Sequence, residues 1–193
     1  RCGTELDSAI AGDFAHAACH TGTAIVYGSD VAKDVTGGWH DAGDYGRYVV
    51  PGAKAVQDLL LTYEDSEYAA KDDAIGIPES GNGVPDVLDE VRYELDWMLK
   101  MQDETSGGVY HKVTGEVFPE MVAAVEETAQ MILSPISNTA TGDFAAVMAK
   151  ASVVYRKYDA AFADSCLAAA QKAWKYLEQH QGDAGFKNVG SIV

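Results

Sequence analysis

Asp41 and Asp44 stand three residues apart in Gly37-Gly38-Trp39-His40-Asp41-Ala42-Gly43-Asp44-Tyr45-Gly46-Arg47-Tyr48. The same segment carries a histidine, a tryptophan, two tyrosines and four glycines. Glycine lets the backbone turn sharply, so two carboxylates at this spacing can converge on one point. Carboxylates that share a water can orient it and take its proton, which is the general-base half of an inverting glycoside hydrolysis. The other half needs a protonated acid across the bond. Spacing alone favours two aspartates that merely cap turns or hold a calcium ion, because Asp-x-x-Asp beside glycine is common in loops.

Cys2, Cys19, His20 and His40 offer two thiolates and two imidazoles, the ligand set of a closed, tetrahedral, structural zinc. Their spacing is not that of a zinc finger, and on residue types a Cys2–Cys19 disulfide competes with the metal. Three cysteines leave at least one unpaired. Cys166, in an alanine-rich stretch, is expected as a small buried apolar residue. If the chain is extended at His40 and Asp41, their side chains point to opposite sides. A metal gripping His40 would then fix the backbone that aims Asp41.

Helices must position these groups. Ala53, Val56, Leu59, Leu60 and Tyr63 recur at steps of three and four, which predicts a helix from Val50 to Glu64 with Pro51 in its first turn. A second is expected from about Pro85 to Gln102, with Val87, Leu88, Val91, Leu95, Met98 and Leu99 on its apolar face and Asp86, Asp89 and Glu90 at its start. Phe144, Val147, Met148, Ala151, Val154, Tyr155 and Tyr158 mark a third, with Thr141 or Asp143 as N-cap. A fourth, from about Ala161 to His180, carries Leu167, Ala170, Trp174 and Leu177; so short a link makes the last two an antiparallel pair. Between the second and third helices, 103–142 reads as mostly irregular chain with one short helix at Val122 to Ile132. A loop of that length is more often functional than idle. No convincing set of alternating strands is visible, so the fold class is all-α, built from helical hairpins.

A chain of 193 residues with 47% hydrophobic and 23% charged residues can bury a full core. Thirty acidic against fourteen basic residues give a formal charge of -16, a field that repels phosphate backbones and anionic lipid. Nucleic-acid and membrane-surface partners are therefore not expected, whereas a neutral sugar polymer meets no such penalty. No apolar run approaches the roughly 18 residues of a membrane span. The start at Arg1 and the apolar Val189-Gly190-Ser191-Ile192-Val193 at the other end suggest a piece of a longer polypeptide.

The segment 37–48 closely resembles the signature of glycoside hydrolase family 9, the inverting cellulases built on an (α/α)6 barrel, and of its bacterial zinc-containing members in particular. The resemblance extends over Phe14-Ala15-His16, Cys19-His20-Thr21-Gly22, Ile77 to Asp86, Ser106 to Lys112 and Thr139 to Ala145, and so covers the chain. It implies that residues 1–193 are the N-terminal portion of one catalytic domain, an incomplete six-hairpin toroid. It makes Asp44 the catalytic base and Asp41 its partner in holding the attacking water. It puts His111 in the sugar-binding cleft. Tyr45 and Tyr110 become candidates to stack on glucose faces, while Tyr48 is read as packing.

The same resemblance implies zinc on Cys2, Cys19, His20 and His40, calcium with no ligands to name, and no organic cofactor. It implies secretion, a β-1,4-glucan substrate, and as partners the remainder of the barrel and, beyond this chain, accessory or cellulosomal modules. The family's general-acid Glu cannot be placed, since nothing around Glu178 matches its motif. The chain by itself is therefore expected to be inactive. Endo action on internal bonds is the expectation, with an exo-acting cellobiohydrolase or exo-glucosaminidase as the alternative.

Overall fold

A computed structural model describes residues 1–182 and 185–190; Ser191, Ile192 and Val193 of the apolar C-terminal stretch lie outside the described residues. In chain order the elements are α1 (Ser8–Ala11), β1 (Ala24–Val26), β2 (Ala32–Lys33), β3 (Arg47–Tyr48), α2 (Val49–Asp65), α3 (Asp86–Lys100), β4 (Lys112–Gly115), β5 (Met131–Leu133), α4 (Asn138–Val154) and α5 (Ala160–Gln179). No helix among the described residues is long and apolar enough to cross a membrane.

The fold is mostly helical, as the periodicities require. Helix α2 packs on α3 and α4, and α4 on α5. The apolar stripes meet in one core of Val56 and Leu60 from α2, Leu88, Val91 and Leu95 from α3, Phe144 and Met148 from α4, and Phe162 and Cys166 from α5. Burying each of the larger side chains stabilises the fold by about 1.5–3 kcal/mol.

Three local expectations change. Helix α4 begins a turn early, because Ser137 is its N-cap and accepts the Ala140 N–H. Thr141, one of the expected caps, is buried and donates to the Ser137 carbonyl at 2.7 Å. The segment 122–132 forms only a short 3-10 turn at Ala124–Glu126 before entering β5. Leu167 and Trp174, expected on the buried face of α5, are exposed, Trp174 by 62%. With Gly142, Ala145, Ala146 and Ala149 they line an open apolar groove of about 680 Å³ between α4 and α5.

A five-stranded sheet, in the order β2-β1-β5-β4-β3, occupies chain that read as irregular. Its strands are too short for alternation to show in sequence. They also matter for the loop at 37–48: the β3–β4 pair is antiparallel, with Arg47 opposite Val113 and Tyr48 opposite Lys112. The motif thus ends as an edge strand on a fully buried β4.

Close packing fixes the motif's other end. Gly38 has φ +81°, and a Cβ there would lie 2.7 Å from the ring of Trp97, which is 1% exposed. Gly38→Ala therefore meets both an unfavourable backbone and a buried ring, and is expected to destabilise by about 2 kcal/mol or more. Gly22→Ala, where a Cβ meets nothing within 4 Å, should shift stability by less than about 0.5 kcal/mol. Urea unfolding of both variants checks this; equal midpoints would contradict it.

Candidate active site and metal centre

One face of α3 carries the motif. Glu90, Tyr93, Glu94, Trp97 and Lys100 follow at helical spacing, so they point the same way. Glu94 Oε2 accepts the Trp39 backbone N–H at 2.7 Å and Glu90 Oε1 accepts Trp39 Nε1 at 2.6 Å. Trp39 is thereby held by main chain and side chain at once. Tyr93 donates its hydroxyl to the Cys2 carbonyl, and Lys100 Nζ donates to the Thr36 carbonyl at 2.9 Å. Below the turn, buried Arg47 donates to the carbonyls of Val35 and Gly37 at 2.6 and 3.0 Å.

The loop that follows is closed on itself. Asp41 N–H donates to the Gly46 carbonyl at 2.9 Å, and Tyr45 N–H to that of Ala42 at 3.1 Å. Asp41 is exposed and lines a recess of about 210 Å³ with Trp39, His40, Tyr48, Gly52 and Glu94. Asp44 is half-buried; Oδ1 accepts the Gly46 N–H at 3.0 Å and Oδ2 accepts the Tyr48 hydroxyl. Gly46 must be glycine, since a Cβ would lie 2.6 Å from the Tyr48 ring and 2.7 Å from Thr114. Burial first, then the bond to Asp44 and the charges of Asp44 and Asp41, raise the Tyr48 hydroxyl above the ordinary phenol range. Asp44 accepts from the Tyr48 hydroxyl, and Asp41 lines a recess that Tyr48 also lines. Tyr48, read as packing, is instead the donor that orients Asp44.

Cys2, Cys19, His20 and His40 come together, with one ligand atom of each lying within 4.8 Å of all the others. All three cysteines are free thiols, so the structure has no Cys2–Cys19 bridge. His40 Nδ1 lies 2.7 Å from the Tyr45 carbonyl, which leaves Nε2 facing Cys19 Sγ at 3.2 Å. His20 Nε2 lies 2.8 Å from Glu127 Oε2, while its Nδ1 is buried without a hydrogen-bond partner. An orphaned buried nitrogen beside two thiols and a second imidazole fits a tetrahedral, zinc-type cation. Burial pushes the Cys2 thiol up to about 11 and His40 down to about 4. Neutral imidazole is the form that binds metal, and a dication is the group that would offset the cost of a buried thiolate. His20 and Tyr45 both sit at left-handed φ, +50° and +52°, each at a cost of roughly 1–2 kcal/mol. Such strain persists where surroundings over-determine it.

The remaining candidates spread around this centre. Tyr45 is turned toward the metal ligands, its ring centroid 5.5 Å from His40 and 6.3 Å from His20, and its hydroxyl donates to the Val122 carbonyl. Tyr110 is half-buried and its hydroxyl lies 3.4 Å from Asp103 Oδ1. His111 precedes Lys112, the strand partner of Tyr48; its Nδ1 lies 2.8 Å from Ser137 Oγ and its ring stacks on Phe186 at 3.7 Å. Burial, aided by Lys112, holds His111 down to about 4, hence neutral near pH 7.

Comparison with known proteins decides the family: the profile of glycosyl hydrolase family 9 matches residues 1–192. The chain belongs to glycosyl hydrolase family 9. This family 9 chain is 42% identical over 193 residues to a cellodextrinase of Butyrivibrio fibrisolvens, covering 97% of this chain and 35% of the relative. Among solved structures, a single mutant of a thermostable endoglucanase from Alicyclobacillus acidocaldarius superposes with TM-score 0.88 at 43% identity, over 100% of this chain and 36% of that one. A Zn-binding triple mutant of a family 9 endoglucanase superposes with TM-score 0.86 at 37% identity, over 93% and 35%. The helices described above are thus part of an (α/α)6 barrel, and the chain spans about a third of the length of its relatives.

Glu90, Glu94, Glu127 and Tyr48 are the site's supporting residues that sequence reasoning missed. Glu94 is the most perturbed of the acids: burial pushes it up to about 8, against the Trp39 bond and the Arg47 charge. Below the unfolded value of 4.5 both states hold the proton and its stabilising contribution is complete. As pH rises to about 8 the unfolded chain ionises first, and that contribution is lost. Glu94→Gln keeps an acceptor for Trp39 and cannot ionise. Its melting temperature should therefore fall less than the wild type's between about pH 5 and 8; parallel declines would contradict the assignment.

Proposed function

We propose that residues 1–193 form the N-terminal portion of the catalytic domain of a secreted, inverting β-1,4-glucanase that cleaves internal bonds of cellulose and related glucans. The observation that carries the reading is the closed 41–46 loop, in which Asp44 accepts from Gly46 N–H and the Tyr48 hydroxyl while Asp41 faces a recess that Tyr48 also lines. Gly46 N–H and Tyr48 O–H each occupy one lone pair of Asp44 and fix the carboxylate plane, leaving a second lone pair on each oxygen for a water. In the proposed reaction Asp41 holds that water from its exposed recess, Asp44 takes its proton, and an acid outside this chain protonates the leaving oxygen from about 6.5–9.5 Å away. His111, neutral and beside Lys112, supplies a hydrogen-bonding ring to the cleft wall.

Cys2, Cys19, His20 through Nδ1 and His40 through Nε2 hold a structural zinc in this reading, supported by the Zn-binding family 9 relative. Such a cation supplies no step of the hydrolysis; it fixes the backbone at His40 and so the aim of Asp41. Calcium has no ligand set to name among the described residues. The apolar α4/α5 groove is the face onto which the remainder of the barrel packs. Exo action is the second reading, favoured by 40% identity over 162 residues to a cellulose 1,4-beta-cellobiosidase of Acetivibrio thermocellus; cellobiose as sole product from the first minutes on cellulose would select it.

In the intact enzyme, Asp44→Asn should lower kcat on cello-oligosaccharides by about 10²–10⁴-fold, and Tyr48→Phe by less, with KM little changed in both. Proton NMR of the first product should show the α-anomer. Retention of a tenth of wild-type kcat by Asp44→Asn, or an initial β-anomer, would sink the proposal.

A further inference from the structure

We propose that Glu127 is a positioning residue of the metal centre, which orients His20 from outside the ligand set and so fastens the segment 116–130, a wall of the recess beside Asp44, to the metal. The inference rests on the metal reading above.

Glu127 lies 107 residues from His20 in sequence, yet the two side chains meet at 2.8 Å and each is 2% exposed. A carboxylate at Nε2 takes the proton of that nitrogen as its hydrogen bond and leaves the Nδ1 lone pair free. Nδ1 is the orphaned buried atom of the cluster. The pairing therefore selects both the tautomer and the ring face that a cation needs. Neighbouring residues make room for it: Gly115 ends β4, and a Cβ there would lie 2.5 Å from Glu127 Oε1. A side chain at 115 would require this carboxylate to shift.

The segment that Glu127 belongs to has little else to hold it. Val117, Phe118 and Met121 are exposed, Met121 completely, so apolar burial contributes little there. Its attachments to the rest of the chain are polar: Gln130 Nε2 to the Thr23 carbonyl at 3.5 Å, the Tyr45 hydroxyl to the Val122 carbonyl, and Glu127 to His20. Two of these three end on residues of the metal centre or in contact with its ligands. Val117, Phe118 and Pro119 in turn line a small recess with Asp44. A segment with few buried contacts opens easily unless anchored, and here the anchor that ends directly on a metal ligand is the Glu127 carboxylate on His20.

The test uses the intact enzyme as wild type, Glu127→Gln and Glu127→Ala, each zinc-loaded and zinc-stripped, with folding checked by circular dichroism. Chelator competition should show zinc binding weakened about 10–100-fold in Glu127→Ala and less in Glu127→Gln. Hydrogen exchange across 116–130 should quicken when zinc leaves the wild type, and should already be fast in zinc-loaded Glu127→Ala. A merely structural ion pair would lower the melting temperature of loaded and stripped forms alike and leave zinc affinity unchanged; that result overturns the proposal. So does exchange across 116–130 that ignores zinc. If Glu127→Ala fails to fold, Glu127→Gln decides by the same two readouts. Wild type that binds no zinc refutes the metal reading itself, a failure distinct from zinc bound equally by all three proteins.

Discussion

Trp39 is gripped by two glutamates one helical turn apart, Glu94 on its backbone N–H and Glu90 on its indole N–H. Both acceptors are long side chains on a helix whose opposite face is locked in the core by Leu88, Val91 and Leu95. The position of α3 therefore sets the position of Trp39, and the two residues after Trp39 are His40 and Asp41. The same helical face binds the Cys2 carbonyl through Tyr93 and packs Trp97 under Gly38. A rigid helix is a better reference frame than a loop, and Trp39, Cys2 and Gly38 are referred to it directly.

The metal-type cluster extends that frame across the loop. His40 is tied to Tyr45 through the Tyr45 carbonyl, so both ends of the 40–45 turn belong to it. Tyr45 then reaches Val122 and His20 reaches Glu127. Helix α3 on one side and the Cys2, Cys19, His20, His40 set on the other hold the loop in which Asp44 meets the Tyr48 hydroxyl and Asp41 faces the recess beside it. Two strained φ values at His20 and Tyr45 fit this arrangement, because a backbone that departs from its preferred region needs such restraint.

Local order was legible in sequence wherever a long amphipathic period existed. Helices α2, α3 and α5 fall within two residues of their expected bounds at each end. Helix α4 starts early because a serine just outside the apolar period outcompeted Thr141 as the cap. The sheet was illegible because strands of two to four residues hold too few side chains to alternate. At the site, the convergence of Cys2, Cys19, His20 and His40 was readable from residue type and motif, and Asp41 and Asp44 stood out as candidates in the same way. Tyr48, four residues after Asp44, was within reach of a local reading. Glu90 and Glu94 lie more than fifty residues from Trp39, and Glu127 lies 107 from His20, so only the fold brings them in. Trp174 was expected on the buried face because its spacing is amphipathic, yet it is exposed along the groove between α4 and α5.

Zinc K-edge X-ray absorption on the purified intact enzyme tests the central claim most directly. Two sulfur scatterers near about 2.3 Å and two imidazole nitrogens near about 2.0 Å are the expected shell, from Cys2, Cys19, His20 and His40. A sample without zinc, a shell of oxygen and nitrogen alone, or a Cys2–Cys19 disulfide in its place would contradict it.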